Sequence, residues 1–178
     1  ASKAKLVLDK SSSPNGYRVS SDGEVKFSKD ESKLYFGLAL PEIVQDTLLL
    51  KEEIVNVEVW TYDEPRLYTV QEQQVKNDKN KSFQTVYHLK EGKLIQIATK
   101  EFPNALLSNE GDGDYALISN PEPYQLSSQW TGLFSKNDLV VININSGDSK
   151  IAIQSNPSTA RFSPKGEYAY GYNQVDST

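Results

Sequence analysis

The stretch Thr159–Tyr172, TARFSPKGEYAYGY, decides how this chain is built. Pro164 has a fixed φ suited to the second position of a β-turn, and Gly166 is free to take positive φ where that turn ends. The Ser163 hydroxyl is expected to bond a backbone amide two residues on. Ser163-Pro164-Lys165-Gly166 therefore predicts a tight reversal. Beyond it, Tyr168, Tyr170 and Tyr172 fall on one face of a strand, and Ala169 and Gly171 on the other. One face is bulky and the other almost bare backbone. A bare face suits close approach of another layer, and the tyrosines are expected to pack between layers.

The pattern occurs twice earlier. Phe27-Ser28 precedes a polar turn and then Leu34-Tyr35-Phe36-Gly37. Leu107-Ser108 precedes a glycine-rich turn and then Tyr115-Ala116-Leu117-Ile118, with Asp112-Gly113 as extra turn residues. Glu31 stands in the first copy where the last has Gly166. Two further stretches, Gln84–Thr99 and Asp138–Gln154, each read strand, glycine-containing turn, strand. Their turns are Lys90-Glu91-Gly92-Lys93 and Ser146-Gly147-Asp148-Ser149. Four short antiparallel strands recurring at roughly 40–50 residues is a propeller-type repeat. The expected fold is all-β: a partial β-propeller of about two to three blades of four-stranded antiparallel sheet, with one short helix in an insertion. A closed ring needs about four blades or more, so an arc of this size exposes edges and faces that invite association, including self-association.

Blade material is assigned to residues 6–40, 83–155 and 156–178 of a single partial propeller domain spanning 1–178. The segment of about 41–82 breaks the repeat and reads as an insertion between the second and third strands of a blade. Within it, Ile54–Trp60 alternates like a strand, and Thr69–Lys79, rich in Gln, Glu and Lys, predicts a surface helix. Leu6-Val7-Leu8 and Tyr17–Ser20 read as short strands, and Pro121–Gly132 as a polar loop.

Composition narrows the function classes. Net charge is -5 with no basic cluster, which argues against nucleic acid. Mean hydropathy is -0.57 and no long apolar run occurs, so no membrane-spanning helix is expected. There is no Cys, hence no disulfide and no thiolate metal site. There is no Met, even at position 1, and the sequence is expected to be an excised or processed piece.

Three ordered stretches carry a resemblance to a known family. They are SSSPNGYRVSSDGEVKFSKDESKLYFG (Ser11–Gly37), EEIVNVEVWTYDEPRLYTVQ (Glu52–Gln71) and LLSNEGDGDYALIS (Leu106–Ser119). Trp60-x-Tyr62-Asp63 and Arg66-Leu67, placed before the Gln-rich helix, weigh most. Together they resemble the N-terminal β-propeller region of the prolyl oligopeptidase and dipeptidyl peptidase family of serine peptidases, in its large bacterial members. The resemblance implies a periplasmic or secreted location and a propeller that caps a separate α/β-hydrolase domain, so that peptides reach the nucleophile and folded proteins do not. It implies as partners that hydrolase domain, the remaining blades of the parent chain and the parent's peptide substrates. The family's catalytic Ser, Asp and His lie in the hydrolase domain. No Gly-x-Ser-x-Gly elbow occurs here, so none of them maps onto this chain.

No catalytic, cofactor-binding or metal-binding residue is therefore assigned, and no cofactor is expected. His88 is the only histidine; it sits in a predicted strand with no nucleophile motif, and a structural role is expected. One His without Cys does not make a zinc site. Asn109–Tyr115 alternates Asp with Gly like a calcium loop, but the twelfth positions counted from Asp112 and from Asn109 hold Pro123 and Asn120 rather than Glu. Some family members hold a substrate's ammonium group with paired propeller glutamates. Glu52 and Glu53 lack the aromatic lead of that motif, so they are expected at a solvated strand start. In the 121–132 loop, Tyr124 and Trp130 are expected to pack against neighbours, with peptide or glycan contact as the other possibility. The expected function is that of a non-catalytic propeller fragment gating access to a hydrolase domain. The alternative is a stand-alone propeller binding module for a protein, peptide or glycan.

Overall fold

A computed structural model describes residues 6–9, 13–42, 61–132, 135–173 and 175. Among them are eleven strands and two α-helices, and the strands pair antiparallel throughout.

The first sheet contains β1 (Arg18–Val19), β2 (Lys26–Phe27), β3 (Lys33–Ala39), β4 (Phe83–His88) and β5 (Lys93–Gln96). β1 and β2 pair with opposite ends of the same side of β3, Val19 against Leu38 and Lys26 against Tyr35. They act as one interrupted strand. The interruption passes close to β3, since a Cβ on Gly23 would stand 2.7 Å from the Gly37 Cα. The second sheet has the order β6 (Asn104–Leu107), β7 (Tyr115–Asn120), β8 (Asn137–Asn143), β9 (Ser149–Asn156). A third, two-stranded sheet pairs β10 (Ala160–Phe162) with β11 (Ala169–Gly171).

The serine turns form as reversals, and their geometry corrects one expectation. The Ser163 hydroxyl accepts from the amide of Tyr168, five residues on, at 3.1 Å, not from one two residues on. Ser28 does the same for the amide of Lys33, again five residues on, at 2.9 Å. In the middle copy the amide is that of Tyr115, seven residues on, at 3.4 Å, so the two extra residues are absorbed inside the turn. The hydroxyl thus closes the base of the hairpin rather than its tip. Glu31 and Gly166 both take positive φ, 57° and 74°, at matching places. In the first turn the Asp30 carboxylate accepts from the Ser28 and Ser32 hydroxyls and the Ser32 amide. These hydrogen bonds hold its pKa well below the usual carboxylate range.

The two expected hairpins are present. Gly92 donates to His88 and Gly147 to Asn143, each at 2.8 Å, across turns of the same length. α1 (Tyr68–Lys79) matches the predicted helix and lies between β3 and β4 in the chain. Ile54–Trp60 falls outside the described residues. Leu6–Asp9 form no strand, and Leu6 is exposed; an apolar triplet without a partner edge gains no ladder.

A second helix, α2 (Glu122–Thr131), replaces the expected polar loop, so two α-helices rather than one stand among the described residues. Its signals lie in the flanks. The Asn120 side chain accepts from the Glu122 amide at 3.0 Å, Pro121 stands at the N-cap and Pro123 in the first turn, and Gly132 ends the helix in the left-handed region at φ 67°.

The core lies between the first two sheets. Tyr35, Val86, Ile95 and Ile97 of the first form one cluster with Ala116, Ile118, Val140, Ile142 and Ile144 of the second. Burying such side chains stabilises by about 1.5–3 kcal/mol each.

Candidate functional site

The two packed sheets are joined by side chains of one reading the backbone of the other. The Tyr35 hydroxyl donates to the Gly111 carbonyl at 2.6 Å, and Lys33 Nζ to the Asp112 carbonyl at 3.0 Å. His88 Nε2 lies 2.8 Å from the Ile144 carbonyl, and Lys93 Nζ donates to that of Asn145 at 2.6 Å. A carbonyl only accepts, so His88 carries its proton on Nε2. Burial, with the nearby carboxylates of Asp112, Asp30 and Asp114, pushes the Tyr35 phenol far above its ordinary value. Gly111 must be glycine here: its φ is +101°, and a Cβ would stand 2.9 Å from Tyr35 Cε2. The third serine turn in turn leans on the second, since a Cβ on Gly166 would stand 2.8 Å from the Ser108 Cβ.

On the second sheet, an open groove of about 610 Å³ is lined by Tyr115, Val141, Asn143, Asp148, Lys150 and Ala152. β9 forms one rim and is exposed over most of its length, with Ile151 at 57% and Ile153 at 52%. Tyr168, Tyr170 and Tyr172 are also exposed, and Tyr115 nearly half so. Of the repeat tyrosines expected to pack between layers, Tyr35 does so, while Tyr168, Tyr170 and Tyr172 are covered by no layer among the described residues. A smaller polar cleft is lined by Glu24, Gln84 and Asn104 among others.

A separate surface joins the two helices. Gln129 of α2 donates to the Pro65 carbonyl at 2.7 Å and accepts from the Leu67 amide at 3.0 Å. Arg66 holds α1 by pairing with Asp78 at 2.7 Å and Gln74 at 2.6 Å. Tyr124 packs α2 on β8, its hydroxyl donating to Asp138 at 2.6 Å, while Trp130 is 75% exposed and Tyr62 93%. Packing thus accounts for one of the two aromatics of 121–132.

His88 is buried between the sheets with its Nε2 spent on a backbone carbonyl, a structural position. Asp112 accepts from the Asp30 amide and Asp114 from the Asn145 side chain, so the calcium-like stretch ties neighbouring turns together. Glu52 and Glu53 lie outside the described residues. Among the described residues no group of three or more His, Asp or Glu side chains could hold a metal ion, and no helix is long and apolar enough to cross a membrane. The groove is the feature that residue-by-residue inspection of the sequence missed; its lining is ordinary Val, Asn, Lys and Ala, assembled only by strand register. No family model matches the chain, and no curated protein matches it.

Proposed function

We propose that this chain is an arc of a β-propeller that serves a serine peptidase of the prolyl oligopeptidase and dipeptidyl peptidase type as a non-catalytic gate and support for its hydrolase domain. The observation carrying the propeller part is the succession of equivalent serine turns, each leaning on the next: Asp30 and Lys33 on Asp112, and Gly166 on Ser108. Equivalent corners in contact are what sheets arranged around a common axis produce. The helix-bearing insertion between β3 and β4 and the ordered motifs of the sequence support the peptidase part. In that setting the chain is periplasmic or secreted, and its exposed tyrosines face further blades or the hydrolase domain.

The chain alone is expected to hydrolyse no proline-containing dipeptidyl chromogenic substrate. Turnover that disappears in His88→Ala would overturn the non-catalytic assignment. Sequencing the natural reading frame tests the peptidase assignment, which requires a downstream Gly-x-Ser-x-Gly elbow. A frame closing after further blades without that elbow would replace it with the second reading, a binding module. The exposed Trp130 and Tyr62 beside the helix junction favour that second reading.

A further inference from the structure

We propose that the smaller polar cleft is a binding site for a neutral saccharide, one ring presenting free hydroxyls. The proposal rests on neither of the two readings given above for the chain as a whole.

The cleft holds about 350 Å³, within the range of about 300–1,000 Å³ of small-molecule sites. It lies where three stretches of the first sheet crowd together. Gly23, in the connection from β1 to β2, is held against Gly37 of β3. Ser82, just before β4, closes on the same point, its Oγ 2.9 Å from where a Cβ on Gly37 would stand. Pro103, Asn104 and Ala105, at the start of β6, bring the second sheet to the cleft. Side chains alternate along β4, so Gln84, Val86 and His88 share a face. On that face Lys33, Tyr35, His88 and Lys93 all donate to backbone carbonyls of the second sheet. Gln84 donates to none of them and lines the cleft instead. Beside it stand the Glu24 carboxylate, the Ser82 hydroxyl and the Asn104 carboxamide. None of these four side chains makes a hydrogen bond or ion pair among the described residues.

The inventory of these groups selects the ligand. The carboxylate only accepts, the two carboxamides each donate and accept, and the hydroxyl does both. The lining contains no Lys or Arg, so a phosphate or carboxylate finds no cation there and meets the charge of Glu24. An ammonium or guanidinium suits Glu24 but leaves both carboxamide NH₂ groups without an acceptor. A ligand that satisfies all four groups is uncharged and carries several neighbouring groups that both donate and accept. Those are the hydroxyls of a sugar ring. Pro103 and Ala105 supply apolar surface for the ring's C–H groups.

The test is proton–nitrogen correlation NMR of the 178-residue chain, following the side-chain amides of Gln84 and Asn104. Glucose, galactose, mannose and N-acetylglucosamine are each added to about 20 mM, well above a dissociation constant of about 1 mM. At least one of them is expected to shift both amides in a saturable way. Glu24→Ala is expected to weaken that sugar by about tenfold or more, and Asn104→Ala by roughly fivefold as read at Gln84. Both variants should keep the melting temperature of the parent chain, since both side chains are exposed and make no bond among the described residues. Amides that stay still with all four sugars, or affinities indifferent to both variants, would overturn the proposal. So would shifts given by glucosamine alone or by glucuronic acid alone, which would mark a cation or an anion site. A disaccharide of the binding sugar separates the sources: tighter binding than the single ring points to a glycan chain, equal or weaker binding to a free sugar, and either upholds the saccharide assignment.

Discussion

Gly111→Ala probes the junction of the two packed sheets most directly. The residue has φ +101°, and the new Cβ would meet the Tyr35 ring at 2.9 Å. Tyr35 is 2% exposed, and its hydroxyl is held by the carbonyl of Gly111 itself at 2.6 Å. The ring cannot swing aside without giving up a buried hydrogen bond. A non-glycine residue at positive φ costs about 1–2 kcal/mol. Forcing one more carbon into a packed contact costs about 1–3 kcal/mol. The expected loss is therefore about 2–5 kcal/mol. At about 2–4 °C per kcal/mol for a domain of this size, Tm should fall by roughly 4–20 °C. Gly132→Ala is the control. Its φ is +67°, but nothing lies within 4 Å of its Cβ, so it should lose only the backbone contribution, about 1–2 kcal/mol. Both losses come from denaturant and thermal unfolding followed by circular dichroism. Equal destabilisation by the two variants, within about 0.5 kcal/mol, would refute the claim that Gly111 is required by the ring above it.

Three further outcomes are expected. Glu31→Gly should stabilise by about 1 kcal/mol in the same unfolding assay, because Glu31 holds φ 57° where the third turn uses Gly166. Asp30 is depressed by its serine hydrogen bonds, so its contribution is fully present above about pH 4 and lost as pH falls below that; Asp30→Asn should flatten the acid limb of stability against pH. Both amide atoms of the Gln96 side chain are buried without a hydrogen-bond partner among the described residues, so Gln96→Met should be neutral or stabilising by about 1 kcal/mol, and a loss of similar size would show that a polar partner is present in solution.

The hairpins were legible because each is punctuated by residues with one strong backbone preference. Pro164, Gly166, Gly92 and Gly147 mark the turns, and the serines before them recur in register. α1 was legible from composition alone, since Gln, Glu and Lys make up half of its residues and favour helix. α2 was not, because its prolines and serines resemble a loop until the Asn120 side chain on the Glu122 amide and the left-handed Gly132 are seen to mark its two ends. Leu6-Val7-Leu8 misled for the opposite reason: apolarity was present and a pairing edge was not. The groove escaped because its lining comes from three strands whose facing depends on pairing register and on the bulges between β8 and β9.

The junction between the two large sheets is one-sided. Lys33, Tyr35, His88 and Lys93 supply the donors, while Gly111, Asp112, Ile144 and Asn145 contribute carbonyl oxygens that every amino acid carries. Substitutions at the four donor positions remove a recognition group outright. Replacing Asn145 leaves the recognised atom in place, whereas replacing Asp112 keeps its carbonyl but removes the carboxylate that accepts from the Asp30 amide. Such an arrangement lets a loop diversify on the receiving sheet while the docking angle stays set by the giving one, which makes the turn after Asn143, rather than the glycine-bound turn after Ser108, a natural place to graft new sequence.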